Sequence, residues 1–361
     1  MIFYALAVLT FVLAVSTLLP LSKYAAWWVR DLDFPRLQLA MALTALLVAS
    51  ILLLVFSEPR AWILIGVTTA CLLYQSWWIL PHTRIYRNEV KWALAGDPEN
   101  TIRLMNANVF TPSHAADALL KLVRENNPDV LVTLETDKWW EQELAVLERD
   151  YPHTIKCPLD NFYGMHVYSR FPLRNAAIQF LVEPDIPSMH AELILPSGQS
   201  VRMHFLHPAP PSPTENETSG ERDAELMIVG KSVSESDTPV IVAGDLNDVA
   251  WSETTRLFRK ISGLLDPRVG RGMYNTFNAR HWYARWPLDH IFHSRHFTVS
   301  SLQRLPDFGS DHFALLSVLV CEKERSAEQK GLEADADDHA EADEKAAEHS
   351  VDESRVHEPD R

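Results

Sequence analysis

The chain has 361 residues, 47% of them hydrophobic, and a formal net charge of −15. That length admits one large domain with additions or two domains, and the acidic balance counts against a basic nucleic-acid-binding protein. Three scattered cysteines, Cys71, Cys157 and Cys321, with no Cys-x-x-Cys pair, argue against a disulfide framework and a structural zinc.

Residues 2–19, 37–56 and 61–80 are apolar runs with no charged side chain inside them. Each has the roughly 20 residues that cross a hydrocarbon core as a helix, so residues 1–80 are read as a membrane domain of three transmembrane helices. Tyr24, Trp27, Trp28, Trp62, Trp77 and Trp78 fall near the span ends, at the level that aromatic rings prefer. A cleaved signal peptide fits poorly, because no basic region precedes Ile2 and the run is long. Lys23, Arg30 and Arg36 lie between spans one and two, Arg60 between two and three, and Arg84, Arg87 and Lys91 after span three. By the positive-inside rule the large domain is then cytoplasmic, carried on a plasma or bacterial inner membrane.

Residues 81–100 read as a linker, closing on the turn-rich group Gly96-Asp97-Pro98-Glu99-Asn100. The globular domain is expected over 101–321. Strand patterns at 102–109 and 130–134 flank a helical pattern at 115–126, which makes a crossover unit of an α/β sheet. A helix over 139–149 follows. Short strands at 166–168, 191–195 and 201–207 are separated by Pro- and Ser-bearing loops, as in antiparallel meanders. A helix over 221–233 leads into 240–249, Val-Ile-Val-Ala-Gly-Asp-Leu-Asn-Asp-Val, a buried strand that turns at Gly244 and delivers Asp245 and Asn247 at a sheet mouth. A helix over 252–261 capped by Ser252 and strands at 288–292 and 314–320 complete the domain. Residues 322–361 hold fifteen acids and six bases, leaving −6 for the rest of the chain. With no aromatic residue they read as a disordered acidic tail.

Polar residues recur where predicted strands end: Asn106 and Asn108, Glu135, His207, Asp245 and Asn247, Asp289, and Asp311 with His312. One polar strand end is ordinarily a turn or a cap. Six of them point to a shared crevice, where α/β sheets bind ligands. His290, His293 and His296 are spaced by three, which scatters their rings over both faces of a strand, so no zinc site is expected there.

Met105-Asn106-Ala107-Asn108-Val109, Leu134-Glu135-Thr136, Tyr168-Ser169-Arg170-Phe171-Pro172, His207-Pro208, Gly244-Asp245-Leu246-Asn247, Leu288-Asp289-His290-Ile291 and Ser310-Asp311-His312 resemble, in order, the motif series of the endonuclease/exonuclease/phosphatase superfamily, the deoxyribonuclease I-like fold. The resemblance implies a four-layer α/β/β/α sandwich of two mixed sheets, and hydrolysis of phosphodiester or phosphomonoester bonds with Mg²⁺ or Mn²⁺. It implies that Glu135 binds the metal, that Asn108 helps hold that metal or the phosphate, and that Asp311 binds metal or orients a histidine. Asp245 orients or deprotonates the attacking water, and Asn247 and His312 contact the phosphate. Asp289 orients His207, the acid for the leaving oxygen. Leu134 stands where the family's commoner Gln-Glu pair has glutamine.

The implied substrates span nucleic acid, phospholipid and inositol phosphate. Arg256, Arg259, Lys260, Arg268, Arg271, Arg280, Arg285 and Arg295, interleaved with Phe277, Trp282, Tyr283 and Trp286, suggest either a nucleic-acid face or a grip on lipid phosphates. A catalytically silent membrane scaffold is the reading from another class, and would be favoured by loss of Glu135, Asp245, Asn247 or His312. All four are present.

Overall fold

The computed structural model describes residues 1–54, 58–94, 97–234 and 236–358. Phe56, at the expected end of the second span, and Gly96, in the expected turn, lie outside them. The first 82 residues contain three helices long and apolar enough to cross a membrane: 21 residues from Ile2 with mean hydropathy 2.4, 18 from Arg36 with 1.9, and 24 from Pro59 with 1.6. In chain order α1 is Ile2–Leu18, the single turn α2 is Trp27–Arg30, α3 is Arg36–Leu53 and α4 is Pro59–Ile79.

Eleven strands follow among the described residues. β1 (Thr101–Asn108), α5 (Ala116–Asn126) and β2 (Val130–Leu134) form the expected crossover, with β1 and β2 parallel. Then come α6 (Lys138–Leu144), β3 (His153–Cys157), β4 (Met165–Ser169), β5 (Leu173–Gln179), β6 (Ser188–Ile194), β7 (Ser200–Leu206), α7 (Gly220–Val233) and β8 (Val240–Asp245). The domain closes with α8 (Glu253–Ser262), β9 (Asp289–His293), β10 (Phe297–Arg304) and β11 (Leu315–Cys321), and α9 (Ala336–Glu348) lies beyond it.

The strands make two mixed sheets, of order β10-β11-β1-β2-β4-β3 and β5-β6-β7-β8-β9. Alternate side chains of both sheets meet in one apolar core, with Leu104, Val132 and Val167 from the first and Met203, Phe205, Ile241 and Ile291 from the second. The opposite face of the first sheet is covered by α5 and α6, and that of the second by α7, α8 and α9. This is the expected four-layer α/β/β/α sandwich, held by face-to-face apolar burial. Ser252 caps α8 as expected, its Oγ accepting from the Thr255 amide at 2.9 Å.

Strands β3, β5 and β10 form where none was expected, and the linker and the tail also depart from expectation. The linker packs as part of the domain: Val90 is fully buried, Glu89 pairs with Arg259, and the Ala93 amide donates to the Val299 carbonyl. The described part of the expected disordered tail is folded, because its alanines and valines supply an apolar stripe. Ala342, Ala346, Val351 and Val356 are buried against α7 and α8. Lys345 donates to buried Asp223 at 2.8 Å and Lys260 pairs with Asp338. The tail's charges therefore have partners that its own sequence does not reveal.

On α7, Glu225 faces inward with an unpartnered Oε1. Burial, with the Glu183 charge adding to it, raises its pKa from 4.5 to about 8. An acid that keeps its proton in the fold costs stability as pH climbs above its unfolded value, and the full cost is reached above its folded value. Glu225→Gln is therefore expected to melt above the parent, with a gap that is small near pH 4.5 and widens up to about pH 8. Calorimetry across that range measures it.

Candidate active site

The two sheets open at one end, and the polar strand ends converge there. β8 pairs antiparallel with β9 so that Asp245 lies directly opposite Asp289. β7 runs parallel to β8 with Leu206 level with Gly244, which sets His207 beside Asp245. Gly244 permits that approach: its φ is +151°, and a Cβ there would lie 1.8 Å from the Leu206 carbonyl oxygen. From the facing sheet, Asn108 ends β1 and Glu135 follows β2. Glu135 (φ +62°) and Asn247 (φ +50°) both adopt the left-handed region, which costs a non-glycine residue about 1–3 kcal/mol and clusters at functional sites.

Side chains join the sheets. Asn108 Nδ2 donates to Glu135 Oε1 at 2.8 Å and to Asp245 Oδ2 at 3.2 Å. Asn106 Nδ2 donates to Asp289 Oδ1 at 2.9 Å. His312 Nδ1 donates to Asp289 Oδ2 at 2.8 Å, and its Nε2 lies 3.5 Å from Asp245 Oδ2. Ser310 fixes the histidine loop, its Oγ donating to the Asn108 carbonyl and accepting from the His312 amide. Asn247 closes the group, with its amide on Asp245 Oδ1 and its Nδ2 on the Pro208 carbonyl.

The electrostatics separate the two histidines. Burial opposes a charge on His312, but Asp289, Asp245 and Asp311 outweigh it and raise its pKa to about 10. His312 is an imidazolium at neutral pH. Burial dominates at His207 and lowers its pKa to about 4, against the pull of Asp245. Its Nδ1 has no hydrogen-bond partner, so His207 is a neutral ring at neutral pH, with Tyr163 alongside at 5.2 Å between ring centroids.

Asp289 was expected to orient His207, and it holds His312 instead. The reason is register: Asp289 faces Asn106 and the His312 loop across the crevice, while His207 lies on the far side of Asp245. Asn108 was expected among the metal ligands. Its Oδ1 accepts from the Phe110 amide, which turns its NH₂ toward Glu135 and makes it a positioning group. Asp311 is half-buried at the rim, where its charge acts on both Glu135 and His312. Asn106 is the functional position the sequence reading undervalued, although its two-residue offset from Asn108 places both on one strand face. Tyr163 carried no sequence signal, and Phe277, noted only among the aromatics of the basic segment, has its ring 4.9 Å from His312.

His290, in the histidine series where no zinc site was expected, bonds within the fold, between Arg268 and the Asp248 carbonyl. Half of the basic segment is tied up internally, with Arg259 on Glu89, Lys260 on Asp338, Arg268 on Asp266, and Arg271 on the Pro267 and Val90 carbonyls, while Arg280 and Arg295 are exposed. It does not form the continuous nucleic-acid face its spacing suggested.

Which residues fit a divalent ion can be read from the donors. Asp245, Asp289 and His312 offer ligand atoms within 4.8 Å of one another, but the His312 nitrogens already lie 2.8 Å from Asp289 Oδ2 and 3.5 Å from Asp245 Oδ2, so these three groups serve one another. Glu135 is the better fit. Its Oε2 is buried without a partner, and burial raises its pKa to about 7 despite the Asn108 hydrogen bond. A hard cation at Oε2 supplies the missing partner, with water completing its oxygen shell.

The family model described as the Endonuclease/Exonuclease/phosphatase family matches residues 105–312, more than half of the chain. Among solved structures, D. rerio TDP2 complexed with single strand DNA product matches at 18% identity and a TM-score of 0.50, covering 61% of this chain and 98% of that one. The human Nocturnin catalytic domain with bound sulfate anion matches at 21% identity and a TM-score of 0.50, covering 61% and 93%. At these identities the likeness shows the fold. No curated protein matches the chain.

Proposed function

Because the chain belongs to the endonuclease/exonuclease/phosphatase family, whose members are metal-dependent phosphoester hydrolases, we propose that it is a membrane-anchored, Mg²⁺-dependent phosphoesterase acting on phosphodiester or phosphomonoester bonds. The observation that carries this reading is the position of the His312 ring, held between Asp289 and Asp245 and facing the Asn108–Glu135 pair across the crevice. A fixed cation and fixed amide donors suit a phosphoryl group that gains negative charge as water attacks.

Each residue has a task. Asp245 receives the proton of the attacking water. Its Oδ1 is held by the Asn247 amide and its Oδ2 faces Asn108 and His312, so the carboxylate cannot rotate away. His312 donates to a phosphoryl oxygen and Asn247 assists it. His207, neutral and partnerless at Nδ1, contributes an uncharged donor toward the leaving side. Glu135 would hold the divalent cation, with Asp311 beside it, and that ion neutralises phosphoryl charge when bound. The Glu135 carboxylate must ionise to do so. EDTA is expected to abolish turnover, and Glu135→Gln to raise the Mg²⁺ needed for half-maximal rate by about tenfold or more. Full-length protein in detergent, assayed on single-stranded DNA, RNA, phosphatidylglycerol and inositol phosphate, tests the reading. Metal-independent turnover, or none on any substrate, would count against it.

A phospholipid substrate is the second reading, favoured by how the bundle meets the site. Trp251 Nε1 donates to the Asp33 carbonyl and Gln38 Nε2 to the Tyr283 carbonyl. The rings of Phe34, Trp286, Phe277 and His312 are in contact in that order. Trp282 and Tyr283 are 80% and 62% exposed on the same loop. The crevice therefore opens close to the ends of the helices. The ends of α1 and α4 and the start of α3 all lie on the domain side, as three spans require; that this side is cytoplasmic rests on the positive flanks alone.

A further inference from the structure

A second site lies at the foot of α4, behind the loop that follows Asp245. It is a cavity of about 580 Å³, lined by the last turn of α4, the segment after it, α8 and the start of the tail. Its walls are built rather than incidental. Gln329 is buried, accepting from the Lys91 amide at 2.7 Å and donating to the Arg295 and Phe297 carbonyls at 2.9 and 2.8 Å. These bonds pin the tail as an outer wall. Trp251, buried and in edge contact with His82, closes the inner wall.

The cavity is basic. Arg87 and Arg256 both line it, and among the described residues no carboxylate forms an ion pair with either. Arg256 stacks over Trp78 at 5.9 Å. The acids nearby are already committed, Glu89 to Arg259 and Glu328 to Arg325, and Lys91 adds a further positive charge. Trp77, 65% exposed, and Trp78 stand at the rim. Paired tryptophans at a span end mark the headgroup level, and basic pockets between such helices and a cytoplasmic domain suit anionic lipid phosphates.

We propose that this cavity binds the phosphate of an anionic membrane phospholipid, with Arg87 and Arg256 on the headgroup and Trp77 against the acyl chains. The inference rests on α4 crossing a bilayer. It assigns the cavity a bound lipid that is separate from the hydrolytic centre, so that the occupant would fix the height of the domain over the membrane and brace the loop from Val249 to Trp251 from behind.

The test uses the full chain in dodecyl maltoside and native mass spectrometry, with dioleoyl phosphatidylglycerol and dioleoyl phosphatidylcholine supplied equally. The parent is expected to retain one phosphatidylglycerol in preference to phosphatidylcholine. The double variant Arg87→Gln, Arg256→Gln is expected to bind it about 30-fold more weakly, the combined effect of taking two basic side chains away from an anionic headgroup. Its melting temperature in detergent alone and its hydrolysis of a soluble phosphodiester should be unchanged, which shows that it folds. Equal retention of the two lipids by the parent, or undiminished phosphatidylglycerol binding by the variant, would overturn the proposal. Displacement of phosphatidylglycerol by inorganic phosphate at equal affinity would reassign the cavity to a free anion and overturn the lipid assignment. Extraction of the chain from membranes by alkaline carbonate would sink the bilayer reading itself. Resistance to carbonate combined with indifference to headgroup would sink this inference alone.

Discussion

Asp245→Asn is expected to reduce phosphoester turnover about a thousandfold or more, the size of effect seen when a positioned base is lost together with the charge that complements its neighbour. The substitution keeps the acceptor for the Asn247 amide and the space of the side chain. Asp289 still holds His312. Melting temperature should therefore move little while rate collapses, and the two measured on one preparation separate lost chemistry from lost fold. A variant that loses both equally would place Asp245 in the architecture instead of the reaction.

Asp289→Asn is the second large effect. Asp289 never needs to touch substrate, yet it sets the charge of the histidine that does. It accepts from His312 Nδ1 and from Asn106 and lies fully buried, where a carboxylate stabilises an imidazolium strongly. Replacing it with an amide removes the leading contribution that raises His312 to about 10. We expect a fall in turnover of about 10²- to 10⁴-fold, comparable to removing the orienting acid of other histidine-based sites. A pH profile carries the sign. In the parent His312 stays protonated through neutral pH and loses its proton only near 10, so its alkaline limb is far from neutrality. In the variant that limb moves down, and activity is lost as pH rises through a lower value. A purely structural role for Asp289 would lower the rate without moving the limb.

Much of this site was legible because strand ends are punctuated in sequence. An apolar run followed by Gly244-Asp245-Leu246-Asn247 announces a strand mouth, and the Asp289 and His312 motifs lie at similar boundaries. The two-sheet sandwich followed from the ordered motif series, and the strand at Val130–Leu134 is where its apolar pattern placed it. What was not legible depends on register between sheets. Asp289 meets His312 and Asn106 instead of His207 because β1, β9 and the loop before β11 converge in space, and no local pattern encodes that meeting.

The missed strands have local causes. β5 is an edge strand, largely exposed, and its pairing with β6 shifts register between Arg174 and Ala177, so it lacks the clean alternation of a half-buried strand. β10 carries a register shift between Val299 and Ser301, which breaks the period of two at that point. The tail was misread because composition alone weighs its acids without their partners. Lys345 on Asp223 and Lys260 on Asp338 join residues 122 and 78 positions apart.

The division of labour between Glu135 and Asp245 is the central claim, because the nearby Asp245, Asp289 and His312 offer a rival metal centre. Calorimetric titration of Mn²⁺ into the parent, Glu135→Gln and Asp245→Asn decides between them. The expected result is binding weakened about tenfold or more by Glu135→Gln and left close to the parent by Asp245→Asn, whose turnover is nevertheless lost. Metal binding abolished by Asp245→Asn and retained by Glu135→Gln would move the ion to the aspartate and histidine cluster and contradict the account.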